Sequence, residues 1–97
     1  ETAAFATADI LGMGLIKGLR RLGRRVPEDL SIVGFDDVDL ACMSDPSLTT
    51  VHQDIAEKGK SAVQMILDAV DGREGKQERI LPIRLVARDS VRKIETD

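Results

Sequence analysis

The stretch VPEDLSIVGFDDVDL, residues 26–40, decides the fold. Pro27 fixes a turn, and Leu30, Ile32, Val33 and Phe35 then read as a short strand with apolar residues on both faces. Such a strand belongs in the middle of a parallel sheet that is covered on both sides. It runs directly into two adjacent acids, Asp36 and Asp37. In an open α/β sheet the carboxyl end of a central strand is where ligands bind, so the acids stand at a chemically meaningful place. Gly34, just before them, lets another group approach the backbone closely.

Upstream, residues 2–7 read as a strand, and ADILGMGLIKGLRRLG (8–23) then changes to helical spacing. Leu11, Leu15, Gly18, Leu19 and Leu22 gather on one face, the expected core face, while Met13 and Ile16 form a second, weaker apolar pair. Gly23 stops the helix, and Lys17, Arg20, Arg21, Arg24 and Arg25 cluster toward its C-terminal end, where cations offset the helix dipole. Downstream, LTTVHQ (48–53) reads as extended chain. Asp54 then caps a second helix, with Glu57 at the reciprocal capping position and Gly72 as the stop. Its apolar stripe is Ile55, Gly59, Ala62, Ile66 and Val70, widened by Ala56, Val63 and Leu67. The polar run DGREGKQER (71–79) is a loop, and a last strand spans about Ile83 to Arg88, with Pro82 at its beginning. Strand and helix alternate, which predicts an α/β fold with a parallel sheet. Two or three parallel strands and two long helices make an incomplete doubly wound unit with an open sheet edge.

The balance of 42% apolar to 32% charged residues is that of a globular domain, and 97 residues suffice for one small core. Two Phe and no Trp or Tyr leave no aromatic platform for stacking bases. A net charge of -3 argues against direct contact with a phosphate backbone. The single cysteine, Cys42, cannot close an internal disulfide, and no apolar run has the length of a membrane span, so a reducing cytoplasm is expected. The absence of an initiator Met suggests a piece of a longer protein. Cys42 and His52 at a ten-residue spacing match no zinc pattern, no glycine-rich phosphate loop follows a strand, and His52 has no nucleophile fixed beside it. Neither a metal nor a cofactor is expected, and no enzymatic activity. Adjacent residues in extended chain point to opposite sides, so Asp36 and Asp37 cannot converge on one bond as paired catalytic carboxylates. An ionised carboxylate accepts hydrogen bonds only, which suits it to ligand hydroxyls or N–H groups. Asp36 is assigned to the ligand and Asp37 to the local turn.

VPEDLSIVGFDD, then PSLTTVHQD, then a helix containing Gly59, then LVARDS, in that order, resembles the C-terminal part of the LacI/GalR family of bacterial transcriptional regulators. The resemblance covers nearly the whole chain. It implies a parent protein with an N-terminal helix-turn-helix DNA-binding domain, absent here, and a two-lobed effector-binding core of the type I periplasmic-binding-protein-like fold. The chain is then the C-terminal fragment of the effector-binding and dimerisation core. Residues of about 1–52 and 83–97 would belong to the C-terminal lobe and about 53–82 to the N-terminal lobe.

By that resemblance Asp36 matches the family's effector-contacting acid, and Gln53 a crossover position that also meets the effector. Ala8 stands where many members carry an effector-contacting Asn, and Asp9 fits the first turn of its helix. The family's dimer contacts come from this helix and from the segment after the acids, which points to Met13, Ile16, Cys42 and Met43. The parent protein is expected to be a dimeric cytoplasmic repressor whose effector, of the sugar or purine class, shifts the balance between arrangements of different DNA affinity. Operator DNA would be bound through the missing domain. The alternative is a periplasmic sugar-binding protein of an ABC transporter. A signal peptide in the full-length protein would favour that alternative, and a helix-turn-helix pattern the regulator.

Overall fold

The computed structural model describes residues 1–72 and 78–95. In chain order the elements are β1 (Ala3–Phe5), α1 (Asp9–Arg21), β2 (Ser31–Asp36), a single 3-10 turn (Asp39–Cys42), β3 (Thr49–Gln53), α2 (Ile55–Val70) and β4 (Ile83–Val86). They build one sheet of order β1-β2-β3-β4. β1 runs parallel to β2 with Phe5 opposite Val33, and β2 runs parallel to β3 with Val33 opposite Thr49 and Asp36 opposite His52. The expected α/β class with an incomplete parallel sheet is what forms. The polar loop expected over 71–79 lies largely outside the described residues. The chain divides into two compact units, Glu1–His52 with Arg84–Asp97, and Gln53–Ile83.

In the first unit the core is Ile16, Ile32, Ala41 and Leu48, with Met13, Leu19, Val26, Leu30 and Val38 packed around it. Full burial of a Leu or Ile side chain stabilises by about 1.5–3 kcal/mol, so these few residues carry most of the unit's hydrophobic driving force. The face of α1 that meets the core differs from the sequence expectation, with Leu19 alone of the expected leucines packed there. Leu11, Leu15 and Leu22 are exposed, whereas Ile16 is 5% exposed and Met13 packs against the core. The reason is backbone approach. Gly12, which lies on the Asp9–Ile16 face, presents no side chain, and a Cβ there would lie 3.2 Å from Leu48 Cδ2. The helix therefore seats on the glycine side. α1 ends as expected: Gly23 takes φ 75°, and the amides of Gly23 and Arg24 return to the carbonyls of Arg20 and Leu19 at 3.1 and 2.9 Å. This pairing satisfies carbonyls that the helix end would otherwise leave open.

The tail of the chain stitches the sheet. Ser90 is fully buried; its hydroxyl donates to the Ile32 carbonyl at 2.6 Å and accepts from the Thr49 amide at 2.8 Å. Its carbonyl accepts from the Ile32 amide at 2.9 Å. One residue thereby serves β2 and β3 together. Nearby, the Asp89 amide donates to Ser47 O at 3.0 Å, and the Arg92 amide to Ser31 Oγ at 3.1 Å. Among the described residues no buried side-chain nitrogen or oxygen lacks a hydrogen-bond partner.

In the second unit α2 begins as the sequence predicts, with the Asp54 carboxylate accepting from the Glu57 amide at 2.9 Å. Its expected apolar stripe is not buried. Ile55, Val63, Ile66, Leu67 and Val70 are each more than half exposed, and the buried residues are Ser61 and Asp68. The remaining described segment of this unit, 78–83, reaches the Ser61 side, where Arg79 Nη1 donates to Ser61 Oγ at 3.4 Å. No helix among the described residues is long and apolar enough to cross a membrane.

Candidate functional site

The candidate site lies at the carboxyl end of β2. Asp36 is the last residue of the strand, half-buried, with φ 116°, and Asp37 follows with φ 63°. Two consecutive non-glycine residues in this half of dihedral space cost on the order of 1–3 kcal/mol each, and such strain persists only where surrounding contacts over-determine the backbone. Those contacts are present on both sides of the turn.

Asp37 does not serve the local turn, contrary to the sequence expectation. Its side chain is 13% exposed and bridges distant residues: Arg88 Nη2 donates to Oδ1 at 2.6 Å, and His52 Nδ1 lies 2.8 Å from Oδ2. Burial pushes this carboxyl up. The hydrogen bonds and charges of Arg88 and His52 together outweigh that effect and hold it below its ordinary value of 3.8. An ionised carboxylate only accepts, so the His52 Nδ1 carries the proton in this contact. Arg88 is fixed in turn, with Nη1 donating to Leu48 O at 2.9 Å and its amide to Thr49 Oγ1 at 2.8 Å. His52, which the sequence left without a partner, is thus one arm of a three-residue clamp in which Asp37 is the middle member and Arg88 the other arm.

Asp9 supports the turn from the other side. Although it sits in the first turn of α1, where a negative charge is favoured, it is fully buried and its bonds leave the helix. Its Oδ2 accepts from the Val38 amide at 2.8 Å and its Oδ1 from the Thr50 hydroxyl at 2.5 Å. The group for which Gly34 makes room is this carboxylate: a Cβ at Gly34 would overlap Asp9 Oδ1 and lie 2.8 Å from Leu48 Cδ2.

Of the other expected residues, Gln53 ends β3 and opens the second unit, where its Oε1 lies 3.3 Å from Lys58 Nζ. Cys42 and Met43 are exposed at the end of the 3-10 turn, and Ala8 precedes α1 as its N-cap residue. Met13 is half-buried against the core. Ile16, expected at a dimer contact, is a core residue, 5% exposed within its own unit. The sequence reading missed Thr50, Arg88 and Ser90. The available signal was the row of polar residues that ends LVARDS directly after a strand, which would be idle in solvent.

A parallel α/β sheet with a strained, half-buried acid at the carboxyl end of a central strand, and among the described residues no second carboxylate converging with it, has the frame of a ligand-binding module. The chain belongs to the periplasmic binding protein-like domain family, whose pattern matches residues 1–91. Its relatives identify it, within that family, as resembling the effector-binding core of LacI/GalR regulators. It is 40% identical over 92 residues to the HTH-type transcriptional repressor CytR of Escherichia coli, covering 94% of this chain and 27% of the repressor. Among solved structures it is similar to a LacI family transcriptional regulator from Enterococcus faecium with bound ribose, at 37% identity and a TM-score of 0.82, covering 93% of this chain and 34% of the regulator. It is similar also to the lac repressor dimer bound to operator and the anti-inducer ONPF, at 32% identity and a TM-score of 0.82, covering 93% of this chain and 32% of that one. The chain thus spans about a third or less of the proteins it matches.

Proposed function

We propose that the chain is the C-terminal effector-binding and dimerisation portion of a cytoplasmic repressor of the LacI/GalR type, with Asp36 as the acid that accepts hydrogen bonds from the effector. The observation that carries this reading is the left-handed backbone at Asp36, held against its own preference at the ligand-binding end of a central strand. Gln53 is a second candidate contact. The break in contacts at His52/Gln53 and again at Ile83/Arg84 supports assigning the first unit to the C-terminal lobe and the second to the N-terminal lobe. A relative with bound ribose favours a sugar-class effector, and relatives that are repressors favour a regulator over a transporter's binding protein and over an enzyme. DNA contact falls to a domain outside these residues.

The test is calorimetric titration of the full-length chain with ribose, preceded by a thermal-shift screen of other sugars and purines. Asn tolerates left-handed backbone, so Asp36→Asn removes the charge without the turn. Ligand affinity is expected to fall by about 30-fold or more, the scale of a buried charged hydrogen bond, while thermal stability stays close to that of the parent. Unchanged affinity would make Asp36 a structural acid.

For the dimer, the proposal shifts along α1. Leu11, Leu15 and Leu22 recur at helical spacing and are 58%, 37% and 77% exposed; Leu40 and Met43 on the following turn are 60% and 75% exposed. With Cys42 they replace Met13 and Ile16 as the proposed contact surface. Leu11→Asp combined with Leu15→Asp is expected to turn a dimer into a folded monomer in sedimentation, because two charges cannot be desolvated in an apolar seam. A dimer that survives both changes would move the interface elsewhere.

A further inference from the structure

The turn that presents Asp36 is pinned at two ends. Up to Asp36 the backbone is held by the β2–β3 ladder, with Asp36 opposite His52. Beyond Asp37 the first amide is that of Val38, and it donates to Asp9 Oδ2 at 2.8 Å. Asp36, the last paired residue, and Asp37 link these two anchors, and they are the two non-glycine residues with left-handed backbone among the described residues, at φ 116° and 63°. A carboxylate that serves only a helix N-terminus stays near solvent and accepts from its own first turn. Asp9 is 0% exposed and accepts instead from residues 29 and 41 positions away.

We infer that Asp9 is the positioning residue of the effector site: its carboxylate, lodged over Gly34 and bonded to the Val38 amide, sets the backbone conformation in which Asp36 meets its ligand. This inference rests on the reading of Asp36 as the effector acid. The sequence keeps the arrangement possible at three separated places. Asp9 supplies the acceptor, Gly34 the space that any Cβ would close, and Thr50 the donor that occupies the second carboxylate oxygen and fixes its rotation. Because one partner of Asp9 is a hydroxyl, which can accept as well as donate, the role tolerates one substitution in particular. In Asp9→Asn the amide oxygen can keep the Val38 bond while the amide nitrogen donates to Thr50 Oγ1, whose hydroxyl rotor is free to turn. Asp9→Ala loses both, and Thr50→Val loses only the bond remote from the turn.

The experiment is hydrogen exchange, resolved to single amides by mass spectrometry, on the full-length chain and on these three variants, followed by calorimetric titration of each with ribose. In Asp9→Ala the Val38 amide is expected to exchange about tenfold faster or more, relative to the Ile32 and Val33 amides of the same strand, as one hydrogen bond's worth of protection is removed. In Asp9→Asn and Thr50→Val its relative rate should stay within about threefold of the parent. Where the parent binds ribose, Asp9→Ala should weaken it as Asp36→Asn does, and Asp9→Asn should largely preserve it. Val38 exchange that rises only in step with the β2 amides would overturn the inference and make Asp9 a general core residue. A parent chain that does not bind ribose would count against the sugar reading alone, and the exchange result would still decide for or against Asp9.

Discussion

Arg88→Met is expected to lower the stability of the full-length chain by roughly 3 kcal/mol, the low end of the range for removing one partner of a buried ion pair. Methionine keeps the length of the stem and removes the charge, so the loss is electrostatic rather than a cavity. Arg88 and Asp37 side chains are 17% and 13% exposed, which places the pair beyond the screening that makes surface bridges worth little. After the change Asp37 retains only His52, and the Leu48 carbonyl loses its donor. Urea denaturation of the single variant and of Arg88→Met with Asp37→Asn separates the causes. Asn accepts the φ of 63° at position 37, so the double variant should recover a large part of the loss by removing the stranded charge. The pH dependence follows with a definite sign. The folded-state Asp37 carboxyl lies below its ordinary 3.8, so its contribution is complete above that value and is lost as pH falls through the lower, folded-state one. The gap between parent and Arg88→Met should therefore be widest near neutrality and shrink below about pH 4. A gap that is constant with pH would mean the arginine acts by packing alone.

How much of this was legible depends on whether the deciding contact was local. β2 was legible because a doubly apolar run that stops at two acids has few other readings, and the Asp54 cap and the Gly23 stop are written within four residues of the bonds they make. The division of labour between the acids was not. Asp37 finds its partners 15 and 51 residues away, and nothing periodic connects Asp37 with His52 and Arg88. The faces of α1 were misassigned because the richer leucine stripe looked like the core. What settles the matter is how closely the backbone can approach, and Gly12 and Gly34 set it by accommodating Leu48 and Asp9. A reading that gave weight to glycines facing one another across a helix and a strand would have turned the helix correctly. The apolar stripe of α2 was legible as apolar, but not what covers it. Amphipathic spacing predicts a face that can be buried, and the chain that buries it is a separate matter, here one in which the protein spans 27% of a full-length relative.

Ser90→Ala is expected to cost the full-length chain roughly 3 kcal/mol, although it removes a single oxygen from a residue that no sequence pattern marks as critical. The hydroxyl is the donor for the Ile32 carbonyl and the acceptor for the Thr49 amide, both in the interior of the sheet. Alanine fills nearly the same space, so water gains no room to replace the oxygen, and two backbone groups are left unpaired at about 1–3 kcal/mol each. Ser47→Ala is the contrast. Its hydroxyl also bonds within the same tail, to Asp89 Oδ2 at 3.1 Å, but in an exposed setting where water takes over at once. That variant should stay within about 0.5 kcal/mol of the parent. Ser90 serves two interior backbone groups and Ser47 one exposed carboxylate, so equal denaturation midpoints for the two variants would show that the Ser90 hydroxyl does not hold β2 against β3. The expected inequality gives the end of LVARDS a physical role distinct from ligand binding: Arg88 holds Asp37 behind the turn and Ser90 joins the strands beneath it. Both act on the frame that carries Asp36, and loss of either should lower stability before it alters which ligand is bound.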